Sequence, residues 1–388
     1  MRRQAEFAGR HDPPPYDREL IRSGGVSSSR TRQGDRPPPR GQARRARDQR
    51  PARRRRGGSA LGALRALVVG VLLLAVIALV LVGIRAAAFN ATVSTAGFPS
   101  TALLGPLNGS QRVNVLMVGY GGGDHDGAYL ADSIQVLSID PATDTTTSIP
   151  IPRDLWIEGV SGFPQNGKIN QVFSAGHAQG GLEGAGDMLA GVVGEVTGLE
   201  IEHWISIDFQ GFQELVDAVG GVTVENPTAF SYTTTETAHQ AGRWNSGSFA
   251  AGEIHLDGDE ALMYSRARFT SVVSESTDFA RSARQARVIG ALRSELGEGG
   301  VTSIVPGLRM MDALEGRMFT NLSAIDLFLL SGDLSADRRV ELSEDVVLRA
   351  TTNTIGQYIL VPTDWTGPGA YDGLRDYLAR ELARADAS

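Results

Sequence analysis

The stretch Tyr264 to Arg287, YSRARFTSVVSESTDFARSARQAR, holds the densest set of side chains suited to chemistry. Arg266 and Arg268 alternate, so an extended segment sends both guanidinium groups from one face. Ten residues on, Asp278, Arg281, Gln285 and Val288 recur at helical spacing, with Arg284 close to the same side. One helix face then presents arginine, glutamine and carboxylate together. Guanidinium is planar, permanently charged and forked, and it matches the oxygens of a phosphate or pyrophosphate. A solvated helix is the competing reading. Lys168 is the only lysine of the chain, so arginine abundance alone decides little.

Other groups could join these arginines in a clamp around a phosphate. The strand-like run Val113 to Val118 leads into GYGGGDHDGAYLADS, a glycine-rich loop carrying Asp124, Asp126 and Asp132, carboxylates of the kind a hard cation uses. The loop lacks G-K-[ST] and precedes a second strand, Ile134 to Ile139, which argues against a nucleotide-binding loop. A third strand, Thr145 to Ile151, delivers Arg153 and Asp154 at its end, where open α/β sheets place ligand groups. Lys168 and Asn170 follow in GKINQVF.

The elements that must position these groups alternate in period. Gly184 to Thr197 has helical spacing, Trp204 to Ile207 reads as a strand, Phe209 to Val219 as an amphipathic helix and Gly221 to Glu225 as a strand. Residues 228 to 250 read as a surface excursion. A short helix, Gly258 to Tyr264, returns to the arginine stretch, whose helix runs to about Leu296. A helix over Ser323 to Leu330, strands near Val340 to Arg349 and Tyr358 to Val361, and a closing helix from Tyr371 to Ala383 complete the pattern. The fold class is α/β: a mixed central β-sheet flanked by helices, in one domain over residues 111–385.

Charge divides the chain. Residues 1–60 carry seventeen arginines against six acids, a balance of +11, and since the whole chain sums to −7 the remainder carries −18. Between the two parts, Ala66 to Ile84 is uninterrupted by charge, and its nineteen residues rise about 28 Å as a helix, the thickness of a bilayer core. Residues 61–85 read as a single transmembrane helix. RPARRRR precedes it and only Arg85 follows, so the positive-inside rule keeps the tail cytoplasmic and exports the rest. The length of the charged tail favours an anchor over a cleavable signal, despite the small residues Ala86 to Ala88. The proline- and arginine-rich tail reads as disordered, and its basic block as a topology signal meeting anionic lipid rather than nucleic acid. Residues 86–110 read as a tether. Cysteine is absent, which excludes a thiol nucleophile, a cysteine zinc site and disulfides. The six histidines lack metal spacing and the serines form no nucleophile elbow, which argues against zinc hydrolysis and acyl-serine chemistry.

Seven pieces, in order, carry a family resemblance: VNVLMVGYGG, ADSIQVLSID, SIPIPRDLWIEG, GKINQVFSAG, IEHWISIDFQGFQELVDAVGGVTVENP, GEIHLDGDEALMYSRAR and DFARSARQ. Over about residues 112 to 296 the sequence resembles the LytR-CpsA-Psr proteins, membrane-anchored enzymes of Gram-positive and actinobacterial envelopes. The lysine-poor composition favours an actinobacterial source.

The resemblance implies a phosphotransferase that moves a glycopolymer from a polyprenyl-pyrophosphate carrier to peptidoglycan, with an α-β-α fold and a pocket for the lipid tail. By position, Arg153, Lys168, Arg266, Arg268, Arg281 and Gln285 fall where the family contacts pyrophosphate, and Asp132 where it binds Mg2+. Two departures stand out. Relatives commonly have Arg-Ser-Asp where this chain has Leu130-Ala131-Asp132, so one arginine is missing. Many have an aspartate where Gly121 and Gly122 stand, which leaves Asp124 or Asp126 as the second metal carboxylate.

Such chemistry runs on positioning and fixed positive charge at the phosphoryl oxygens. Asp132, Asp154 or Asp278 could take the proton of the attacking hydroxyl. Asp278 also suits a helix N-cap, and Asp154 an orienting role beside Arg153. The alternatives are a polyprenyl-pyrophosphate phosphatase, using the same clamp with water as acceptor, and an envelope-related transcriptional attenuator, against which the tail offers no DNA-reading fold.

Overall fold

The computed structural model describes residues 60–98, 103, 112–124, 126–143, 145–295, 304–333, 336–344 and 346–386. Of the tail expected to be disordered, residues 1–59 lie outside the described residues, as do residues 99–102 and 104–110 of the expected tether. Helix α1 (Ala60–Val93) is followed by strands β1 (Val113–Tyr120), β2 (Ala131–Asp140), β3 (Thr145–Pro150), β4 (Trp156–Ile157) and β5 (Gly167–Lys168). Then come α2 (Asn170–Thr197), β6 (His203–Asp208), α3 (Phe209–Val219), β7 (Val222–Asn226), β8 (Phe230–Thr233), α4 (Glu236–Gln240), β9 (Gly247–Phe249) and β10 (Gly252–Leu256). The arginine stretch spans α5 (Gly258–Arg266), β11 (Phe269–Thr270) and α6 (Asp278–Glu295). Helix α7 (Ile304–Leu314), β12 (Met318–Thr320), α8 (Ala324–Asp333), β13 (Ala336–Arg339), β14 (Leu348–Thr352), β15 (Tyr358–Pro362) and α9 (Asp372–Asp386) close the chain.

The central sheet has the order β12-β6-β1-β2-β3-β13. It is mixed: β1 is antiparallel to β2 and parallel to β6. Strand alternation divides its side chains between two buried faces. Leu116 and Val118 of β1 join Trp204 of β6 in a core closed by Leu189 of α2 and by Leu374 and Leu378 of α9. Val113 and Val115, of opposite parity, pack with Leu322 and Leu330. Met117, Ile205 and Ile207, also of that parity, line a cavity walled by α3, α6 and α7. One face of the sheet is thus filled and the other is partly hollow.

A second core positions the arginine stretch. Val222, Val224, Phe230 and Leu256 pack with Ala261 and Tyr264 of α5 and with Val288 and Leu292 of α6. Asp257 caps α5, accepting from Glu260 N at 2.9 Å while the Glu260 carboxylate accepts from Asp257 N, a reciprocal capping box.

Several expected boundaries move. Helix α2 starts at Asn170 rather than Gly184, because its first half is broken only at Gly180 and Gly181, and that glycine-rich run reads as loop. The expected excursion over 228 to 250 is a small sheet, β11-β8-β9, held by Tyr232 stacked on Phe249 with ring centroids 5.5 Å apart. Its aromatic alternation is masked by surrounding threonine and serine. The expected strand over Val340 to Arg349 resolves into β13, which stops at Arg339, and β14, which starts at Leu348. The expected tether is helical through Val93, with Phe89 and Val93 buried against Leu314 and Met318.

Candidate functional site: a polar clamp beside an apolar cavity

Asp132, at the start of β2, is the hub of the site. Its Oδ1 accepts from Arg153 Nη1 at 2.7 Å, and its Oδ2 lies 3.9 Å from Arg266 Nη2. Arg153 arrives just beyond β3, where Pro150 and Pro152 end the strand and Leu155 N turns back onto Pro152 O at 3.0 Å. Arg266 ends α5, and its guanidinium also lies over the Phe209 ring, 4.1 Å from the centroid. Burial holds the Arg266 guanidinium below its ordinary value, with Asp132 opposing that shift and Arg153 adding to it. Two cations from distant parts of the chain therefore flank one carboxylate.

Arg281 and Gln285 rise from α6 onto the same place. With Asp132, Ser133, Arg153 and Arg339 they line a small polar cavity. Arg281 is only 7% exposed. Gln285 Oε1 accepts from Ser133 Oγ at 3.3 Å, which ties α6 to β2. The Nε atoms of Arg153 and Arg339 are buried without a hydrogen-bond partner, a costly state that an anionic ligand would relieve. Burial lowers the Arg339 pKa, with Glu341 opposing and Arg287 adding to the shift.

The polar cavity shares Asp132, Ser133, Gln135 and Gln285 with the large apolar one, whose volume is about 450 Å3. Beyond that shared wall the large cavity is lined by Met117, Ile205, Phe209, Phe212, Leu215, Ile289 and Leu292, together with Met311 and Leu314 of α7. Asp208 also reaches it, from the end of β6. Asp208 caps α3 by accepting from Gly211 N at 2.7 Å, and Arg317 lies 3.5 Å from its other oxygen. The glycines after β1 have a local reason here: Gly122 has φ +73°, and a Cβ on it would stand 2.9 Å from the Asp208 Cβ.

The expected clamp is thus assembled in part. Arg153, Arg266, Arg281, Gln285 and Asp132 come together around the two cavities. Arg284 does not join them and is corrected to a structural role: it is fully buried, and its Nε donates to Tyr264 O at 2.9 Å, its Nη1 to Glu275 Oε2 at 2.7 Å and its Nη2 to Ala267 O at 2.5 Å. It braces the loop between α5 and α6. Lys168 lines neither cavity; its Nζ donates to Asp154 Oδ1 at 2.5 Å, and Asp154 Oδ2 lies 3.7 Å from Arg153 Nε. Lys168 therefore stands behind Asp154 rather than at either cavity. Asp154 is itself buried, with one oxygen on Lys168 and the other near Arg153. Arg268 is exposed and lines neither cavity. The side chain of Asp278 lies outside the described residues.

Arg339 and Asp208 were missed in the sequence. Asp208 carried a signal, an N-cap carboxylate directly before a helical run. Arg339 carried none, since either arginine of DRRVEL resembles any other.

The metal expectation fits only in a reduced form. Asp124 and Asp126 are exposed on the loop after β1. Among the described residues no three histidine, cysteine, aspartate or glutamate side chains converge on a point. Mg2+ is commonly held by one or two carboxylates and completed by substrate phosphate and water, and Asp132, at the junction of the two cavities, suits that arrangement.

A model described as the LytR_cpsA_psr family matches residues 85–362. A polyisoprenyl-teichoic acid–peptidoglycan teichoic acid transferase TagU from Oceanobacillus iheyensis is 33% identical over 251 residues, 64% of this chain and 71% of that protein. The protein of the same name from Halalkalibacterium halodurans is 28% identical over 260 residues, covering 66% and 77%. Among solved structures, a protein from Streptococcus agalactiae matches the fold with a TM-score of 0.53 at 23% identity, over 71% of this chain and 90% of that one.

Proposed function

This chain belongs to the LytR-CpsA-Psr family, and from that premise we propose that it transfers a glycopolymer from a polyprenyl-pyrophosphate carrier to a peptidoglycan hydroxyl during cell-wall assembly. One observation carries the reading: a cationic cavity and an apolar cavity share a wall, and a lipid diphosphate is a molecule with both halves. Arg153, Arg281 and Arg339 face the diphosphate from one side and Arg266 from the other, while the isoprenoid tail fills the space between α3, α6 and α7.

In the reaction, a hydroxyl of the wall attacks the phosphorus bonded to the glycan. The bond from that phosphorus to the bridging oxygen breaks, polyprenyl phosphate leaves, and a phosphodiester joins glycan to wall. The clamp stabilises charge that accumulates on the phosphoryl oxygens and on the departing phosphate. Asp132 is the proton acceptor best supported. Arg153 and Arg266 engage its two oxygens, and a bound diphosphate competes for both guanidinium groups and leaves an oxygen of Asp132 available for the hydroxyl proton. Mg2+, where bound, would be held by Asp132 and would neutralise phosphate charge.

Among the described residues one helix is long and apolar enough to cross a membrane; it anchors the chain there, and the arginines before it favour a cytoplasmic tail and an extracytoplasmic catalytic domain. To test the reading, the full chain is incubated with a short polyprenyl-pyrophosphate-linked glycan, with and without peptidoglycan fragments. Acceptor-dependent phosphodiester formation supports transfer. Equal release of polyprenyl phosphate without acceptor makes the protein a phosphatase.

A further inference from the structure

Helix α1 changes environment within a short rise. Leu79, Leu81 and Ile84 are 72%, 60% and 61% exposed, whereas Phe89 is 4% and Val93 0% exposed. Between them Arg85 Nη2 pairs with Asp312 Oδ1 at 2.5 Å and Glu315 Oε2 at 2.7 Å, one on α7 and one just past its end. Further contacts lock the outer end of α1 to the domain. Asn90 Oδ1 accepts from Ala324 N at 2.8 Å, and Ser94 forms a parallel bridge with Thr320 of β12. The outer end of this helix is therefore packed into the folded domain, and its exposed apolar run gives way to buried contacts just past Arg85.

The apolar cavity reaches that level. Val82 and Phe89 lie seven residues apart, on one helix face, and both line it. They face Met311 and Leu314 of α7, and Phe328 of α8, itself 56% exposed, lines the same space. An apolar wall thus runs from a bilayer-facing turn of α1 to the central sheet. A long isoprenoid tail that had to cross water would expose carbon after carbon, at a cost that rises with each.

We propose that α1 and α7 frame a lateral doorway through which the isoprenoid tail of the donor passes from the outer leaflet into the cavity without leaving an apolar environment. Arg85 is its positioning residue, tying the two helices together at the lipid boundary. The inference rests on the donor assigned above, and the test separates the two claims.

The full-length chain is reconstituted in phosphatidylglycerol and phosphatidylcholine vesicles with a polyprenyl phosphate bearing a diazirine at its far end, irradiated, and the adducts mapped by mass spectrometry. Adducts on the Val82 to Phe89 face of α1 and on α7, besides those deeper in the cavity, are expected. Arg85→Glu should lower the α1 adduct yield by roughly fivefold, the scale of an exposed ion pair. Adding Asp312→Arg and Glu315→Arg should restore it. Adducts on Met117, Ile205 or Phe209 with none on α1 overturn the doorway and leave the donor assignment standing. No adduct anywhere in the cavity overturns both. An unchanged yield in Arg85→Glu, or no recovery on charge reversal, removes the role given to Arg85.

Discussion

Arg153 and Arg266 approach the same carboxylate, at 2.7 and 3.9 Å, so alanine at either position removes positive charge where transfer would build negative charge. Turnover should fall by about a hundredfold or more, the scale of losing a group that stabilises the transition state, with an unchanged melting curve. Turnover near wild type in either variant would count against the clamp. Asp132→Ala should mimic removal of Mg2+ by a chelator and leave the variant insensitive to added metal; retained metal dependence would place the ion elsewhere. Arg284 belongs to stability instead. Arg284→Ala strands Glu275 and several carbonyls in the interior, and a denaturation curve should show a loss of about 3–5 kcal/mol. Spacing alone made Arg281 and Gln285 legible, because they fall four apart on one helix face. The same spacing drew in Arg284, since periodicity does not distinguish the edge of a face that meets a ligand from the edge that meets the core.

Strand and helix packing sets how the site is held. Gly186 of α2 lies against Trp204 of β6 so closely that a Cβ would overlap the indole ring. Gly186→Ala should therefore cost about 1–3 kcal/mol through overpacking, read from the denaturant midpoint, and a neutral result would mean the helix can shift away from the sheet. At the start of β6, burial holds His203 below its ordinary value of 6.5, against the raising pull of Glu202 and Asp326, and its Nδ1 has no hydrogen-bond partner. The unfolded chain then binds a proton that the native chain refuses. The stability contributed by neutral His203 is complete above about pH 6.5 and is lost as pH falls from there through the lower native value. On acidification the melting temperature of the wild type should fall more steeply than that of His203→Gln; parallel slopes would contradict this. The sheet was legible because its strands are short, β-branched and spaced by turns. Helix α7 was not: Ile304 to Leu314 contains a proline and lies among residues with weak helical spacing, yet it walls the apolar cavity.

At the scale of the whole molecule, anchor and catalytic domain form one body beyond Ala63. A chain beginning at Ala86 keeps the buried Phe89 and Val93, whereas one beginning at Thr95 loses both, at about 1.5–3 kcal/mol each. The shorter chain should melt measurably lower, and equal melting temperatures would mean that the end of α1 contributes nothing to the domain. The apolar run made the anchor legible. Its continuation into the domain was hidden in AAAFNATV, where only Phe89 and Val93, four apart, mark a buried face among small residues. In the proposed function all of these parts serve one event, the capture of a lipid diphosphate by cations gathered from distant segments. The most direct measurement of it is mass spectrometry of the full chain incubated with a polyprenyl-pyrophosphate-linked glycan and peptidoglycan fragments. The predicted result is a glycan–peptidoglycan phosphodiester matched by released polyprenyl phosphate, and neither product with Arg153→Ala. Intact donor in the wild type, or the same yield from Arg153→Ala, would contradict it.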